Sequence, residues 1–119
     1  QNNQLQSLPE NLGRLKNLRV LGLQGNQLTV VPQSLIELEN LEVLLLGDNP
    51  LEAIPEELGH LEKLEWLSLS ETRVQVLPES LFSLNRLGRM DLILTPAGRV
   101  PGLAERLHDR WPDLEAHIA

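Results

Sequence analysis

The 119-residue sequence contains no cysteine and no tyrosine, and it has a single phenylalanine and two tryptophans. Without cysteine the chain can form neither a disulfide framework nor a thiolate metal site, which fits a reducing, intracellular setting. Because 41% of the residues are hydrophobic and only 3% are aromatic, the core must be aliphatic. The length is sufficient for one domain with one core.

Basic residues are also scarce. Ten Lys and Arg stand against 17 Asp and Glu, which gives a net charge of -7 and a pI of about 4.9. Since nucleic-acid binding needs a clustered excess of positive charge, we expect no nucleic-acid partner. No apolar run approaches the roughly 18 residues of a spanning helix, and no signal-peptide pattern opens the chain, so we predict a soluble domain without membrane contact.

What the sequence does contain is an internal repeat with a period of 23 residues. Four leucines mark the period: Leu18, Leu41, Leu64 and Leu87. Apolar residues follow three positions later, at Leu21, Leu44, Leu67 and Met90, and five positions later, at Leu23, Leu46, Leu69 and Leu92. Each unit continues with an Asn or Thr and then an apolar residue followed by proline, as in Val31-Pro32, Ile54-Pro55 and Leu77-Pro78. The repeated unit is L-x-x-L-x-L-x-x-N-x-L-x-x-L-P-x-x-L-x-x-L.

Each part of this unit predicts a local structure. The L-x-L segment alternates with period two and indicates a short strand, and the following Asn suits a tight turn. After the proline, an apolar residue at every third position indicates a 3₁₀ or irregular helical turn. One unit alone cannot bury its apolar side, so the units must stack, with the strands in a parallel sheet. The strand side packs more closely, so the sheet should be concave.

The repeat resembles the leucine-rich repeat family, specifically the Leu-Pro-containing 23-residue type found in bacterial proteins and intracellular eukaryotic scaffolds. The resemblance covers residues 1 to about 101 and implies an α/β right-handed solenoid, with short parallel strands on the concave face and 3₁₀ or irregular turns on the convex face. The absence of cysteine-paired end caps favours the bacterial or intracellular branch. The resemblance to this branch implies a cytoplasmic location, or the cytosol of a host cell if the protein is a delivered effector.

We predict two parts of the chain: an array of about four repeats over residues 1–101, with the first one incomplete, and a cap over residues 102–119. In the cap, Leu103 and Leu107 have helical spacing, and Pro112 ends that helix near Arg110. A degenerate last strand is predicted from three residues that follow Leu87, Met90 and Leu92 by 24 positions: Trp111, Leu114 and Ala116.

Two further features depart from a regular array. Thr72 and Thr95 replace the turn Asn, and we expect looser turns there because a hydroxyl replaces only part of an amide. At the other end, nothing upstream covers Leu5, Leu8 and Leu12. Either the chain is a fragment of a longer protein or two copies cover one another's open ends, which would give a weak homodimer.

The concave face carries the candidate binding site. One column of outward residues reads Val20, Val43, Trp66 and Arg89, and the next reads Gly22, Leu45, Ser68 and Asp91. Their four apolar members, Val20, Val43, Leu45 and Trp66, should converge because neighbouring strands lie about 4.8 Å apart. An exposed apolar patch with a tryptophan is typical of a protein-binding surface, although β-branched and aromatic residues also suit exposed strands.

The rim of this patch is mostly acidic, with Glu42, Asp48, Glu65 and Glu71 beside it, and its flanking positive residues are Arg19 and Arg89. We therefore expect a partner that offers an apolar anchor surrounded by basic residues. Gly22 and Gly47 either leave room for an inserted side chain or are simply tolerated, and the sequence does not separate the two.

The residues of the chain do not indicate catalysis. His60, His108 and His117 fall on the convex side, the cap helix and the tail, so we predict no metal site and no cofactor. Ser68 and Ser70 face the concave surface without a nearby histidine base.

We therefore predict a non-enzymatic domain that binds another protein on its concave face. Two alternatives stay open. The chain could be a self-associating structural or regulatory segment of a longer protein. It could also be the recognition domain of a bacterial effector whose catalytic module lies outside it.

Overall fold

The computed structural model describes residues 14–118. Within them lies one sheet of five parallel strands, each three residues long, whose spatial order follows the sequence. The strands are β1 (Val20–Gly22), β2 (Val43–Leu45), β3 (Trp66–Ser68), β4 (Arg89–Asp91) and β5 (Glu115–His117). The pairing of β1 to β4 joins residues 23 positions apart, so the sequence period is the step of the solenoid.

The strands alternate between the core and solvent. Leu44 is fully buried at the centre of β2, whereas its neighbour Leu45 is only half-buried, as the alternation predicts. Leu67 and Met90 occupy the same inward position in β3 and β4 and are also fully buried. Burying an aliphatic side chain of this size contributes roughly 1.5 to 3 kcal/mol, so the inward column accounts for much of the stability of the array.

Short helical segments follow the prolines on the other side of the solenoid. Glu56–His60 and Glu79–Ser83 are 3₁₀ helices that follow the repeat prolines, and a third 3₁₀ helix, Ala97–Arg99, follows Pro96 and precedes the repeat proline Pro101. The first segment differs, because α1 (Gln33–Ile36) is a single α-helical turn. Leu35, Leu58 and Leu81 point from these segments into the core and are fully buried. The predicted α/β leucine-rich solenoid, with parallel strands, mainly 3₁₀ turns and a C-terminal helix, is confirmed.

The turns after the strands are of two kinds. Asn49 donates to the carbonyls of Leu46 and Gly47 in its own repeat, at 2.9 and 3.1 Å. It also reaches the preceding repeat, donating to the Leu23 carbonyl at 3.0 Å and accepting from the Leu28 amide at 3.1 Å. Asn49 therefore ties two repeats together through its side chain.

The Thr72 side chain makes fewer hydrogen bonds than that of Asn49. Its hydroxyl donates to the Leu69 carbonyl of its own repeat at 2.7 Å, and Thr95 does the same to Leu92 at 2.6 Å. Both threonines are buried, so the turn keeps its place in the core. At this turn a backbone bond from the Arg73 amide to the Leu51 carbonyl, 2.8 Å long, links the repeats instead.

The C-terminal helix α2 (Leu103–Arg110) closes the core at one end. It buries Leu103 and Leu107, and Trp111 directly after it stacks on Phe82 with 5.5 Å between ring centroids. The Trp111 indole donates to the Leu84 carbonyl at 2.7 Å. Trp111 is thus a core residue, and α2 is held against the 3₁₀ segment at Glu79–Ser83.

Strand β5 has a different register from the one predicted. Ala116 pairs with Met90, 26 residues earlier, so the strand lies two residues later than the 24-residue spacing indicated. Ile118 therefore takes the inward position that we assigned to Ala116, and it packs against the core. The reason is α2: a true helix and the Pro112 turn consume more residues than a 3₁₀ segment does.

Several predictions lie outside this description. The unshielded leucines Leu5, Leu8 and Leu12 fall in residues 1–13, which are not among the described residues, so the homodimer through that end stays a prediction. The boundary between array and cap at residue 101 likewise stays a prediction. Over residues 14–118, no helix is long and apolar enough to cross a bilayer.

Candidate functional site

The outward residues of the strands form two columns, which we call the sheet face. The first column runs Val20, Val43, Trp66, Arg89 and Glu115. The second runs Gly22, Leu45, Ser68, Asp91 and His117. The period-two alternation that buries the leucines also fixes these columns, so the strands bring together the outward residues predicted from the sequence.

Four neighbouring side chains make an apolar patch on this face: Val20, Val43, Leu45 and Trp66. Val20 is 58% exposed, and the other three are half-buried. Since adjacent strands lie about 4.8 Å apart, these side chains are contiguous. We refer to these four residues as the apolar patch.

Trp66 is held in place by two residues of the next strand. Its indole nitrogen donates to the Asp91 carboxylate at 2.8 Å. The Arg89 guanidinium lies over the indole ring, 4.4 Å from the centroid, and its Nε bonds the other carboxylate oxygen at 3.3 Å. The three side chains form a closed set in which each touches the other two, so the indole is fixed before any partner arrives.

This arrangement changes the role that the sequence suggested for Asp91. We predicted an outward partner-binding residue, but only 11% of its side chain is exposed, and both carboxylate oxygens are engaged. Arg89, whose side chain is 40% exposed, keeps a solvent-facing edge. The sequence could not reveal this because pairing across strands depends on rotamers as well as register.

The glycines do not form pockets. A β-carbon at Gly22 would lie 3.0 Å from the Gln24 side-chain oxygen, so Gln24 already covers that position. At Gly47 it would lie 2.9 Å from the Ser70 backbone oxygen, which belongs to the next repeat. Gly47 therefore permits close approach of two repeats, and its space is filled by backbone, whereas the space at Gly22 is covered by the flexible Gln24 side chain.

At the edge where the strands begin, the residues directly before β1, β2 and β3 are Arg19, Glu42 and Glu65. The backbones of Glu42 and Glu65 extend the sheet, because the Glu65 amide donates to the Glu42 carbonyl at 2.7 Å. The Glu65 side chain is exposed and that of Glu42 is half-buried. Within residues 14–118 neither carboxylate takes part in an ion pair, and Glu42 lines a hollow together with Arg19 and Lys63.

The sequence suggested that His117 lies in a remote tail. In the structure it lies in β5, on the sheet face. Its column places Ser68, Asp91 and His117 on three successive strands. They are not a catalytic triad, because Asp91 separates the other two and is bonded to Trp66 and Arg89. His117 Nε2 lies 2.8 Å from Glu115. In the described part of the chain, no three His, Asp or Glu side chains converge as metal ligands.

One exposed residue that the sequence analysis missed is Leu94, at the edge of the sheet face. The same repeat position has positive φ throughout, at Gly25 (77°), Asp48 (55°), Glu71 (61°) and Leu94 (60°). Leucine is poorly suited to this left-handed conformation, and the Leu94 side chain is 62% exposed. The available signal was a leucine at a position where the other repeats have glycine or an acid.

Comparisons with known proteins agree with this architecture. The sequence profile described as leucine rich repeat matches residues 1–51 and again residues 16–74. A solved structure of a leucine-rich repeat protein from Leptospira interrogans is similar, with 36% identity and a TM-score of 0.86. The match covers 97% of this chain and 29% of that protein, so this chain spans less than a third of its length.

A more distant similarity is to a structure of the Drosophila melanogaster SNF/U2A′ complex, with 24% identity and a TM-score of 0.71. It covers 89% of this chain and 63% of that one, and it supports the fold alone. No curated protein sequence matches the chain. The repeated profile, the Leptospira structure and the five-stranded parallel sheet together show that this chain belongs to the leucine-rich repeat family.

Proposed function

We propose that this domain binds another protein through the apolar patch on its sheet face. Domains of this family generally serve in protein–protein interaction, and the chain has a surface suited to that role. The observation that carries the proposal is the contiguity of Val20, Val43, Leu45 and Trp66 on three adjacent strands. Contiguous exposed apolar surface is a mark of interaction sites on soluble proteins.

Trp66 is the proposed central anchor. Tryptophan is enriched among residues that contribute most to binding, partly because it offers a large contact area with few rotatable bonds. Asp91 and Arg89 reduce that freedom further by holding the indole from the next strand. A side chain ordered in advance loses less entropy on binding, so we assign these two residues a positioning role.

The two glutamates at the edge of the sheet face favour a partner with basic residues. Glu42 and Glu65 flank the apolar patch, and the protein has a net charge of -7. We therefore propose a partner segment that places an apolar side chain on the patch and Lys or Arg beside it. Charge complementarity of this kind speeds encounter and selects among partners more than it adds affinity. Ser68 and the solvent-facing edge of Arg89 would contact the other end of such a segment.

A peptide library displayed on phage provides the first test. The wild-type domain should enrich sequences with a large apolar residue next to Lys or Arg. Leu45→Glu should weaken binding of the enriched peptides about tenfold or more, because it inserts a charge into the centre of the apolar patch. Partners found through such sequences can then be purified and measured by calorimetry with the same variants.

Leu94→Glu is the matched control. It adds the same charge to an exposed leucine outside the apolar patch, at a position where the previous repeat has Glu71 in the same backbone conformation. Binding should stay within about twofold of wild type. Equal loss in Leu45→Glu and Leu94→Glu would show that net charge, not the apolar patch, controls binding. Concentration-dependent mass in sedimentation, abolished by Leu45→Glu, would favour the self-associating alternative.

A further inference from the structure

A second apolar surface lies away from the sheet face, where each repeat runs from its turn towards its proline. Val30, Ala53 and Val76 occupy the same position in three successive repeats. Val30 is 65% exposed and Val76 is 68% exposed, and Ala53 between them is also exposed. Extended backbone favours β-branched residues, but threonine would meet that preference without exposing apolar surface. We call this surface the flank stripe.

The alanine makes a notch in the flank stripe. Between the second and third of these repeats is a groove of about 550 Å³. Ala53 and Val76 line it together with Pro78, and Ile54, which is almost completely buried, lies beneath. The groove has room for a branched aliphatic side chain.

The charged groups at this groove are all acidic. Glu52 and Glu56 line it, and no Lys or Arg does. Both glutamates are exposed, and in the described part of the chain neither belongs to an ion pair. In the next repeat along the stripe the position is taken by Arg99, so the apolar, acidic character ends there.

We propose that this groove is a second interaction site, which binds a partner peptide presenting an apolar side chain next to Lys or Arg. The apolar side chain enters the notch at Ala53, and the cation lies between the carboxylates of Glu52 and Glu56. The occupant is a segment of another protein rather than a second copy, because this chain has a net charge of -7 and two copies would repel one another at an acidic groove. This inference does not depend on the use of the sheet face, because the two surfaces share no residue.

Three short peptides with one leucine and different charges test the proposal: Ac-Lys-Leu-Lys-NH₂, Ac-Gln-Leu-Gln-NH₂ and Ac-Glu-Leu-Glu-NH₂. Each is titrated into the methyl-labelled protein, and the methyl signals of Ala53 and Val76 report the flank stripe. The basic peptide should bind there about threefold to tenfold more tightly than the neutral one, and the acidic peptide least, because exposed ion pairs contribute modestly. Added salt should reduce the preference.

Two variants separate the parts of the site. Ala53→Ile fills the notch and should abolish the saturable shifts at Val76 for all three peptides. The double variant Glu52→Gln, Glu56→Gln should bring the basic peptide to the affinity of the neutral one. Both changes are at exposed positions, and the signals of the buried Leu67 and Met90 methyls check that the fold is intact.

The outcomes for the two surfaces are distinguishable. Methyl shifts at Val43 and Leu45 report binding at the sheet face and bear only on the proposed function. The flank inference is overturned if Ala53 and Val76 do not respond, if they respond equally to all three peptides, or if the response persists in Ala53→Ile. It is also overturned if these signals shift with protein concentration alone, since the occupant would then be a second copy.

Discussion

The two halves of the repeat array differ in how their turn residues and outward strand residues connect neighbouring repeats. Around β1 and β2, the Asn49 side chain crosses between repeats inside the core, and the sheet face above is apolar. Around β3 and β4, the Thr72 side chain bonds only within its own repeat, and side-chain links between repeats run from the Trp66 indole to Asp91 on the sheet face and from the Ile93 amide to the Ser70 hydroxyl. Where the interior supplies the connection, the exposed residues are free to serve binding. Where the surface supplies part of it, those residues have a structural role as well.

The largest expected change in stability is the difference between substitutions on the inward and outward sides of β2. Leu44→Ala should lower the free energy of unfolding by about 2 to 5 kcal/mol, because it leaves a cavity at a fully buried site. Leu45→Ala should cost less than about 1 kcal/mol, because that side chain is half-buried. Urea unfolding of both variants measures the difference. Equal losses would mean that Leu45 belongs to the core and is not available to a partner.

The next largest loss of stability is expected at the turns, where Asn49 and Thr72 can be compared. Asn49→Ala should destabilise the protein by about 2 to 3 kcal/mol, because it strands the Leu28 amide and the carbonyl of Leu46. Thr72→Ala removes one bond within a repeat and should cost about 1 kcal/mol. Thermal unfolding provides the measurement, and Asn49→Thr should fall between the two. A larger loss at Thr72 than at Asn49 would reverse the comparison.

The contacts of Asp91 with Trp66 and Arg89 predict a smaller but measurable loss of stability when Asp91 is replaced. Asp91→Ala should reduce stability by about 1 to 2 kcal/mol, because the Trp66 indole and Arg89 Nε both lose an acceptor. It should also increase quenching of Trp66 fluorescence by acrylamide. Asp91→Asn, which keeps an oxygen for the indole, is the control and should preserve most of the protection. Unchanged quenching in Asp91→Ala would show that Trp66 needs no support from the next strand.

The smallest effect is expected at Leu94, and it has the opposite sign. Leu94→Gly should raise the free energy of unfolding by up to about 1 kcal/mol, since it relieves left-handed strain and removes little burial. Leu94→Val should destabilise, because a β-branched residue fits positive φ worse than leucine does. Calorimetric Tm values compare the two. A lower Tm for Leu94→Gly would show that the leucine makes stabilising contacts despite its exposure.

Much of this fold could be predicted from the sequence because the repeats share the same spacing of apolar residues. The period fixes the strands, the strands fix the faces, and residues such as Leu44 and Leu45 are thereby assigned inward and outward positions. The prediction was wrong where the period stops applying: β5 lies two residues later than expected because α2 replaces a 3₁₀ segment.

The candidate site was less predictable, for a different physical reason. Register places Trp66 beside Arg89, but only the side-chain rotamers bring the indole to the carboxylate of Asp91. Likewise, the sequence shows a small residue at Gly47 without showing that the backbone of the next repeat fills its space. The hydrogen bond between Trp66 and Asp91 belongs to one pair of repeats, so the 23-residue period does not predict it.

The left-handed turn that recurs at Gly25, Asp48, Glu71 and Leu94 also limits how the chain can vary. Three of these four positions are exposed, where substitutions are ordinarily tolerated. Here valine and isoleucine are excluded by the backbone, while glycine and asparagine are accepted. A library of all single substitutions should therefore show an intolerant position every 23 residues on the solvent side. The 23-residue period would then appear in the positions that do not tolerate substitution, independently of the leucine positions.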